Sequence, residues 1–264
     1  MFSGVYNAAG AMIVQMKRVN NITNNIANVD TVAFKKERIN IKTWSRIWGQ
    51  ANANLPIPKN TKQAEDFINE TKNSTPHMDM DYVDFSQGPM KYTGNSLDFA
   101  INDKGFFLVK TPNGIAYTRD GEFSVTKDGI LVQKGTGYPI LGENYFTNGN
   151  FIDVTGKHFT VREDGSVIVD KNNVDKIAIR DFNNYANLKK LHDTLFIPIN
   201  NEQPIAINNY KLDNGYLEMS NVSIVKEMVN LIEAQRAFDR YQRVIDSLGN
   251  EIMTDVVKNI SKVT

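Results

Sequence analysis

The chain contains no cysteine. Disulfide staples and thiolate nucleophiles are therefore excluded, and any metal centre would have to be built from histidine and carboxylates. Histidine is itself scarce. His77, His158 and His192 are scattered, with no i, i+4 pair and no HExxH context. Neither sign of charge is in excess, because 30 basic side chains balance 30 acidic ones. A phosphate-tracking surface or a polybasic membrane patch needs surplus lysine and arginine, so no nucleic-acid partner and no membrane insertion is expected. Long hydrophobic runs are also missing. Met1 to Met16 is mildly apolar, but Gly4, Asn7 and Gly10 interrupt it and it is too short to span a bilayer. Lys17 and Arg18 follow that stretch instead of preceding it, and no small-residue cleavage site comes after. If the protein leaves the cytoplasm, the expected route is one that removes no N-terminal leader.

Catalytic patterns are equally thin. His77, Asp79, Asp81 and Asp84 match no EF-hand spacing. Gly94-Asn95-Ser96-Leu97-Asp98 has an aspartate where a nucleophile elbow needs its second glycine. Gly135-Thr136-Gly137 opens no helix that could cradle a phosphate. Glu143, Glu163 and Asp164 are the kind of carboxylates that any β-rich chain offers by chance, so they do not indicate a glycosidase pair. No catalytic, cofactor-binding or metal-binding residue is assigned. The chain is expected to be no enzyme and to need no cofactor.

What the sequence does hold is periodicity at its two ends. With 264 residues and 41% hydrophobic content there is ample material for a core. Val5, Ala9, Met12, Met16, Val19, Thr23 and Ile26 fall at an unbroken 4-3-4-3 spacing, the seam that keeps one stripe of a helix facing a partner. Asn20, Asn21, Asn24, Asn25 and Asn28 crowd its second half. Asparagine competes for backbone hydrogen bonds, so this helix needs tertiary contacts to persist. Near the other end Ile224, Met228, Leu231, Gln235, Phe238, Gln242, Ile245, Gly249, Ile252 and Val256 repeat the spacing, without a proline from Val222 to Lys262. Ser220-Asn221 offers N-cap chemistry ahead of that run. A helix of about forty residues would be about 60 Å long, which reads as a coiled-coil partner. These two seams are the expected assembly interface.

The middle reads as β structure. From Leu97 onward, short runs of Phe, Val, Ile and Tyr are punctuated by Asp120-Gly121, Asp128-Gly129, Asn148-Gly149, Asp164-Gly165 and Asn214-Gly215. Such pairs suit two-residue hairpins, in which both central residues need positive φ. A compact antiparallel barrel or sandwich is expected. The stretch from Ile39 to Phe85 holds Trp44 and Trp48, then a polar run broken by Pro56 and Pro58, and reads as an extended connector. The expected fold class is α+β, with N- and C-terminal helices paired as a coiled coil and an antiparallel β-rich domain inserted between them. Residues 1–36 with 218–264 would form the helical assembly domain, 37–85 the connector and 86–217 the outer β domain.

The stretch Asn24-Asn25-Ile26-Ala27-Asn28-Val29-Asp30-Thr31-Val32-Ala33-Phe34-Lys35 resembles the N-terminal signature of the flagellar basal-body rod and hook family. It departs from the usual pattern at Asp30 and at Ala33, where glycine is usual. Ala33 therefore either avoids a positive φ or accepts a small strain. Leu217-Glu218-Met219-Ser220-Asn221-Val222, Glu227-Met228-Val229 and Gln235-Arg236-Ala237-Phe238 resemble the family's C-terminal motif. Thr93 to Ile101, Gly105-Phe106-Phe107 and Tyr117 to Gly121 are similar to motifs of its β domain, with Asp103 where a glycine is common.

This resemblance implies a structural subunit of the bacterial flagellar rod that polymerises through its terminal helices into a torque-transmitting drive shaft. Its partners would be further copies, other rod proteins and the flagellar type III export apparatus, with the surrounding ring proteins as additional candidates. It would reside in the basal body, in the rod that crosses the periplasm. Met1 to Tyr6 and the Trp44–Pro76 region are more similar to proximal than to distal rod members, with a distal position as the alternative. A carbohydrate-active or adhesive β-rich protein that oligomerises through its helices is the rival reading.

Overall fold

The computed structural model describes residues 2–43, 76–155, 159–192, 194–200, 202–207 and 210–260. Trp44, Trp48, Pro56, Pro58 and His158 lie outside these residues, as do the side chains of His77, Asp79, Asp81, Ile252 and Val256. The chain divides into two compact units. One comprises residues 1–26, 37–82 and 223–264, the other 27–36 and 83–222.

The first unit is mainly helical. Helix α1 spans Phe2–Ala27, and a 37-residue helix at the far end of the chain spans Ile224–Ile260. Strands β1 (Glu37–Thr43) and β2 (Pro76–Val83) pair in a two-stranded sheet, β2 ending one residue beyond the unit's boundary. The weak helix-forming end of α1 is held by its own asparagine. Asn25 is buried, and its Nδ2 donates to the Glu37 carbonyl at 2.9 Å while its Oδ1 accepts from the Glu37 N–H at 3.0 Å. The carboxamide thus behaves as an extra peptide unit against β1, which offsets the poor helix propensity of the run.

The second unit is antiparallel β structure. It carries β3 (Met90–Tyr92), β4 (Phe99–Ile101), β5 (Phe106–Thr111), β6 (Gly114–Thr118), β7 (Phe123–Val125), β8 (Leu131–Gln133), β9 (Phe159–Val161), β10 (Ser166–Val169) and β11 (Asn172–Lys176). It continues with β12 (Ile179–Asp181), β13 (Leu188–His192), β14 (Leu195–Pro198), β15 (Ile205–Ala206), β16 (Leu212–Asn214) and β17 (Tyr216–Glu218). A short helix α2, Glu143–Asn148, follows β8, and the long C-terminal helix is therefore α3.

Six strands form one sheet in the order β13-β14-β6-β5-β12-β15, with β11-β10-β9 and the pairs β4–β16, β3–β17 and β7–β8 as smaller sheets. The apolar run of β5 explains its central place. Phe107 and Val109 pack with Phe99, Phe123, Leu131 and Val167, whereas Phe106 and Leu108 pack with Tyr117, Phe182 and Phe196. Successive residues point to opposite faces, so both faces of this strand are covered by core.

The turn pairs behave differently from the two-residue expectation. In the β7–β8 and β9–β10 hairpins only the glycine, Gly129 or Gly165, takes a positive φ, and Asp128 and Asp164 do not. The β10–β11 hairpin is the tight one, and it uses Asp170 and Lys171, both at positive φ. That pair carries no Asn-Gly or Asp-Gly signal, because lysine rarely enters the left-handed region. Asn148-Gly149 ends α2 rather than joining strands, and Asn214-Gly215 carries the chain from the sheet of β4 to that of β3.

Candidate assembly interface

The two terminal motifs converge inside the second unit. Lys35 and Glu218 are fully buried and form a direct ion pair. Lys35 Nζ also donates to the Ser86 carbonyl at 2.8 Å, and the Gly88 N–H donates to Glu218 Oε1 at 3.0 Å. The second carboxylate oxygen makes no hydrogen bond and faces Arg119 Nη1 at 3.6 Å. Arg119 is buried as well and lies 5.5 Å from the centroid of the Phe106 ring. Burial holds both the Lys35 ammonium and the Arg119 guanidinium below their ordinary pKa values, while Glu218 pulls each back up. One carboxylate thus sits between two buried cations, and the three side chains come from three distant parts of the chain.

Asn221 closes the same knot. Its Oδ1 accepts from the Lys36 N–H at 2.8 Å, and its Nδ2 donates to the carbonyls of Asp84 at 2.7 Å and Ser86 at 3.1 Å. The expectation of N-cap chemistry from Ser220-Asn221 is corrected here. α3 begins at Ile224, which puts Ser223 in the capping position, and Ser220 Oγ accepts instead from the Val222 N–H. Ala33 takes φ 55°, accepting the strain that glycine would avoid, and its N–H donates to the Glu218 carbonyl at 2.7 Å. Phe34 is fully buried, with Lys190 Nζ 4.0 Å from its ring centroid. Sequence reasoning flagged these residues only as motif letters. Their role depends on contacts across more than 180 residues, as in the Lys35–Glu218 pair.

On the helices of the first unit the positions drawn from 4-3 spacing are sheltered only in part. On α1, Val5, Ala9, Met12, Val19 and Ile26 are half-buried, and Met16 and Thr23 are exposed. The fully buried positions are Ala8, Ala11, Val14, Ile22 and Asn25. On α3, Leu231, Phe238, Ile245 and Gly249 are half-buried, whereas Ile224, Met228, Gln235 and Gln242 are exposed. The most sheltered line of α3 runs Glu227, Leu231, Ala234, Phe238, Tyr241, Ile245 and Leu248, itself at 4-3 spacing. Met16 and Val19 of α1 line one groove together with Gln235 and Phe238 of α3. A second apolar strip remains open on the first turns of α3. Ile224, Val225, Met228, Val229 and Ile232 there are each between 41% and 68% exposed.

Elsewhere the chemistry is structural. Asp98 accepts from Thr93 Oγ1 at 2.6 Å and from Asn95 Nδ2 at 2.8 Å, so Gly94–Asp98 is a braced turn. Among the described residues no group of three histidine, aspartate or glutamate side chains is placed to hold a metal ion. Glu143, at the start of α2, receives a two-pronged donation from Arg180 at 2.6 and 2.8 Å, which lowers its pKa. The depressed pKa means that this fork contributes stability above the ordinary glutamate value of 4.5, and the contribution is lost as pH falls through the folded value. Partial exposure keeps the effect below about 1 kcal/mol. Glu143→Gln should therefore unfold at a slightly lower urea midpoint at neutral pH, with the difference closing as pH falls below 4.5. A constant difference across that range would contradict this account.

Three family descriptions match the chain. Residues 5–35 match the flagella basal body rod protein model, 100–169 the flagellar hook protein FlgE/F/G D1 domain, and 213–250 the flagellar basal body rod FlgEFG protein C-terminal model. The flagellar basal-body rod protein FlgF of Caulobacter vibrioides is 30% identical over the full length of both chains. The FlgG rod protein of Borreliella burgdorferi is 32% identical over 99% of this chain and 100% of its own. That of Bacillus subtilis is 32% identical over 97% and 98%. The chain belongs to the flagellar basal-body rod protein family. Members of this family are structural, and the chain is a structural rod protein and not an enzyme. The two terminal family matches are the segments that supply Lys35 and Glu218 to the buried knot. No helix among the described residues is long and apolar enough to cross a membrane.

Proposed function

We propose that this rod protein polymerises through its terminal helices, with α1 and α3 pairing as a coiled coil along their 4-3 seams, to form a torque-transmitting shaft. Residues 1–36 with 218–264 act as the assembly domain, and residues 86–217 as the β domain. The observation that carries this reading is the double character of α3. A sheltered 4-3 line occupies one side, while an open apolar strip from Ile224 to Ile232 remains on another. Contiguous exposed apolar surface of this kind marks an interaction site. Many marginal helix interfaces would add up to a stiff axle. The periplasm-crossing position, passage through the type III export apparatus without a cleaved leader, and contact with the surrounding rings follow from the family resemblance and belong to the same proposal. Within the rod we place the chain proximally, on the resemblance of Met1 to Tyr6, with the distal position as the alternative.

The test is to concentrate the purified full chain and image it by electron microscopy, alongside the double variant V229D/I232D. The wild type should form filaments or tubes. The variant should stay dispersed with unchanged circular dichroism, because both carboxylates fall on the open strip. Filaments from the variant at wild-type concentration would defeat the proposed interface, and a wild type that forms only discrete oligomers would defeat polymerisation through it.

A further inference from the structure

A groove of about 660 Å³ between α1 and α3 is lined by Arg18, Arg236, Arg240 and Arg243 together with Glu233 and Asp239. Four guanidiniums against two carboxylates leave an excess of two positive charges on a chain whose formal charge is zero. None of the four arginines forms an ion pair within 4.0 Å among the described residues, although Arg119 and Arg180 in the β unit both do. Arg240 Nε spends one donor on the Arg236 carbonyl at 3.2 Å, inside its own helix.

Arg236, Arg240 and Arg243 succeed one another at i, i+4 and i+7, so they stand in a single row along α3. Like charges at that spacing repel and cost helix stability. Glu233 and Asp239 on the same helix offset part of this repulsion, and two guanidiniums in the groove remain in excess of carboxylate. Guanidinium forks suit incoming carboxylates, since each can hold one through two parallel hydrogen bonds.

We propose that this arginine-lined groove is the seat for carboxylates of a second copy of the chain. Charge balance points to that occupant: with zero net charge, the surplus of arginine here is matched by surplus carboxylate elsewhere on the same molecule. A head-to-tail contact brings two different surfaces of identical chains together and generates a helical polymer when the rotation does not close. The inference rests on the assembly reading above and adds to it an electrostatic contact distinct from the apolar strip. Because the groove charges are solvent-exposed, the contact is salt-sensitive and acts on register and on the rate of encounter.

The experiment uses the full chain, with light scattering for filaments and sedimentation equilibrium for small oligomers, across a series of sodium chloride concentrations. The comparison variants are R236Q/R240Q/R243Q and R236K/R240K/R243K. The wild type should assemble less readily as salt rises. The glutamine variant should need at least roughly tenfold more protein and lose the salt dependence, with the lysine variant in between. Helix content by circular dichroism should be unchanged in all three. Wild-type assembly and wild-type salt dependence in the glutamine variant would overturn the proposal. So would loss of binding to phosphatidylglycerol vesicles with assembly intact, which would assign the groove to lipid. Salt-sensitive dimers without filaments, lost in the glutamine variant, would support the groove contact while defeating the shaft reading. A wild type that stays monomeric at every concentration would overturn both.

Discussion

Glu218→Ala is expected to cost about 3–5 kcal/mol of stability, the range seen when one partner of a buried ion pair is removed. The geometry explains the size. Among the described residues Glu218 is the one carboxylate within 4.0 Å of both Lys35 and Arg119, and all three side chains are buried. Alanine would leave the two cations without their shared ion-pair partner and the Gly88 N–H without its acceptor. Lys35→Met should cost less, because Glu218 would keep Arg119 and the Gly88 N–H, and methionine fills a similar volume. Urea unfolding followed by tyrosine and tryptophan fluorescence would measure both. Equal losses would mean that the cluster is not organised around Glu218. Against an ordinary total of about 5–15 kcal/mol, the Glu218→Ala loss is a large fraction of the stability.

Gly88→Ala should be the second large effect. A Cβ at this position would lie far inside normal contact distance of the Met219 carbonyl oxygen, with the Met219 and Ser220 carbonyl carbons only 3.0 and 3.3 Å away. All three neighbours are backbone, so no side chain can swing aside. The clash falls just past the end of the β3–β17 ladder, where the Met219 N–H donates to the Pro89 carbonyl at 2.9 Å. Relief would require the two strands to part, which also loosens the Gly88 N–H bond to Glu218. The expected loss is about 1–3 kcal/mol from overpacking, rising further if the Glu218 contact is lost with it. Hydrogen exchange at Met219 and Gly88 provides the local readout. Unchanged protection at both amides would show that the ladder absorbs the extra methyl group.

Both predictions concern residues whose letters were visible in the sequence and whose function was not. Glu218 and Asn221 were read as parts of a terminal motif, and Lys35 as the end of another. Nothing local marks Glu218 as buried, since charged residues are rarely so unless paired, and its partner lies 183 positions away. The buried asparagine Asn25 tells the same story from the other side. Its run looked like a weakness in a helix, but one of its members supplies two of the hydrogen bonds that hold the helix end against β1.

The long terminal helices and the β character of the middle were set by the sequence itself, because hydrophobic periodicity is a local signal that the backbone geometry obeys directly. The absence of cysteine and the balance of charge likewise removed whole classes of chemistry before any fold was known. Which residues of each helix are sheltered was decided by tertiary structure. The most sheltered lines, Ala8 to Asn25 and Glu227 to Leu248, coincide only in part with the seams drawn from spacing, because a 3.6-residue helix brings neighbouring positions within reach of the same surface. The gathering of Lys35, Arg119, Glu218 and Asn221 into one buried knot was also a tertiary matter. Burial and pairing of charge depend on distance in space, and sequence spacing carries no information about contacts between segments so far apart.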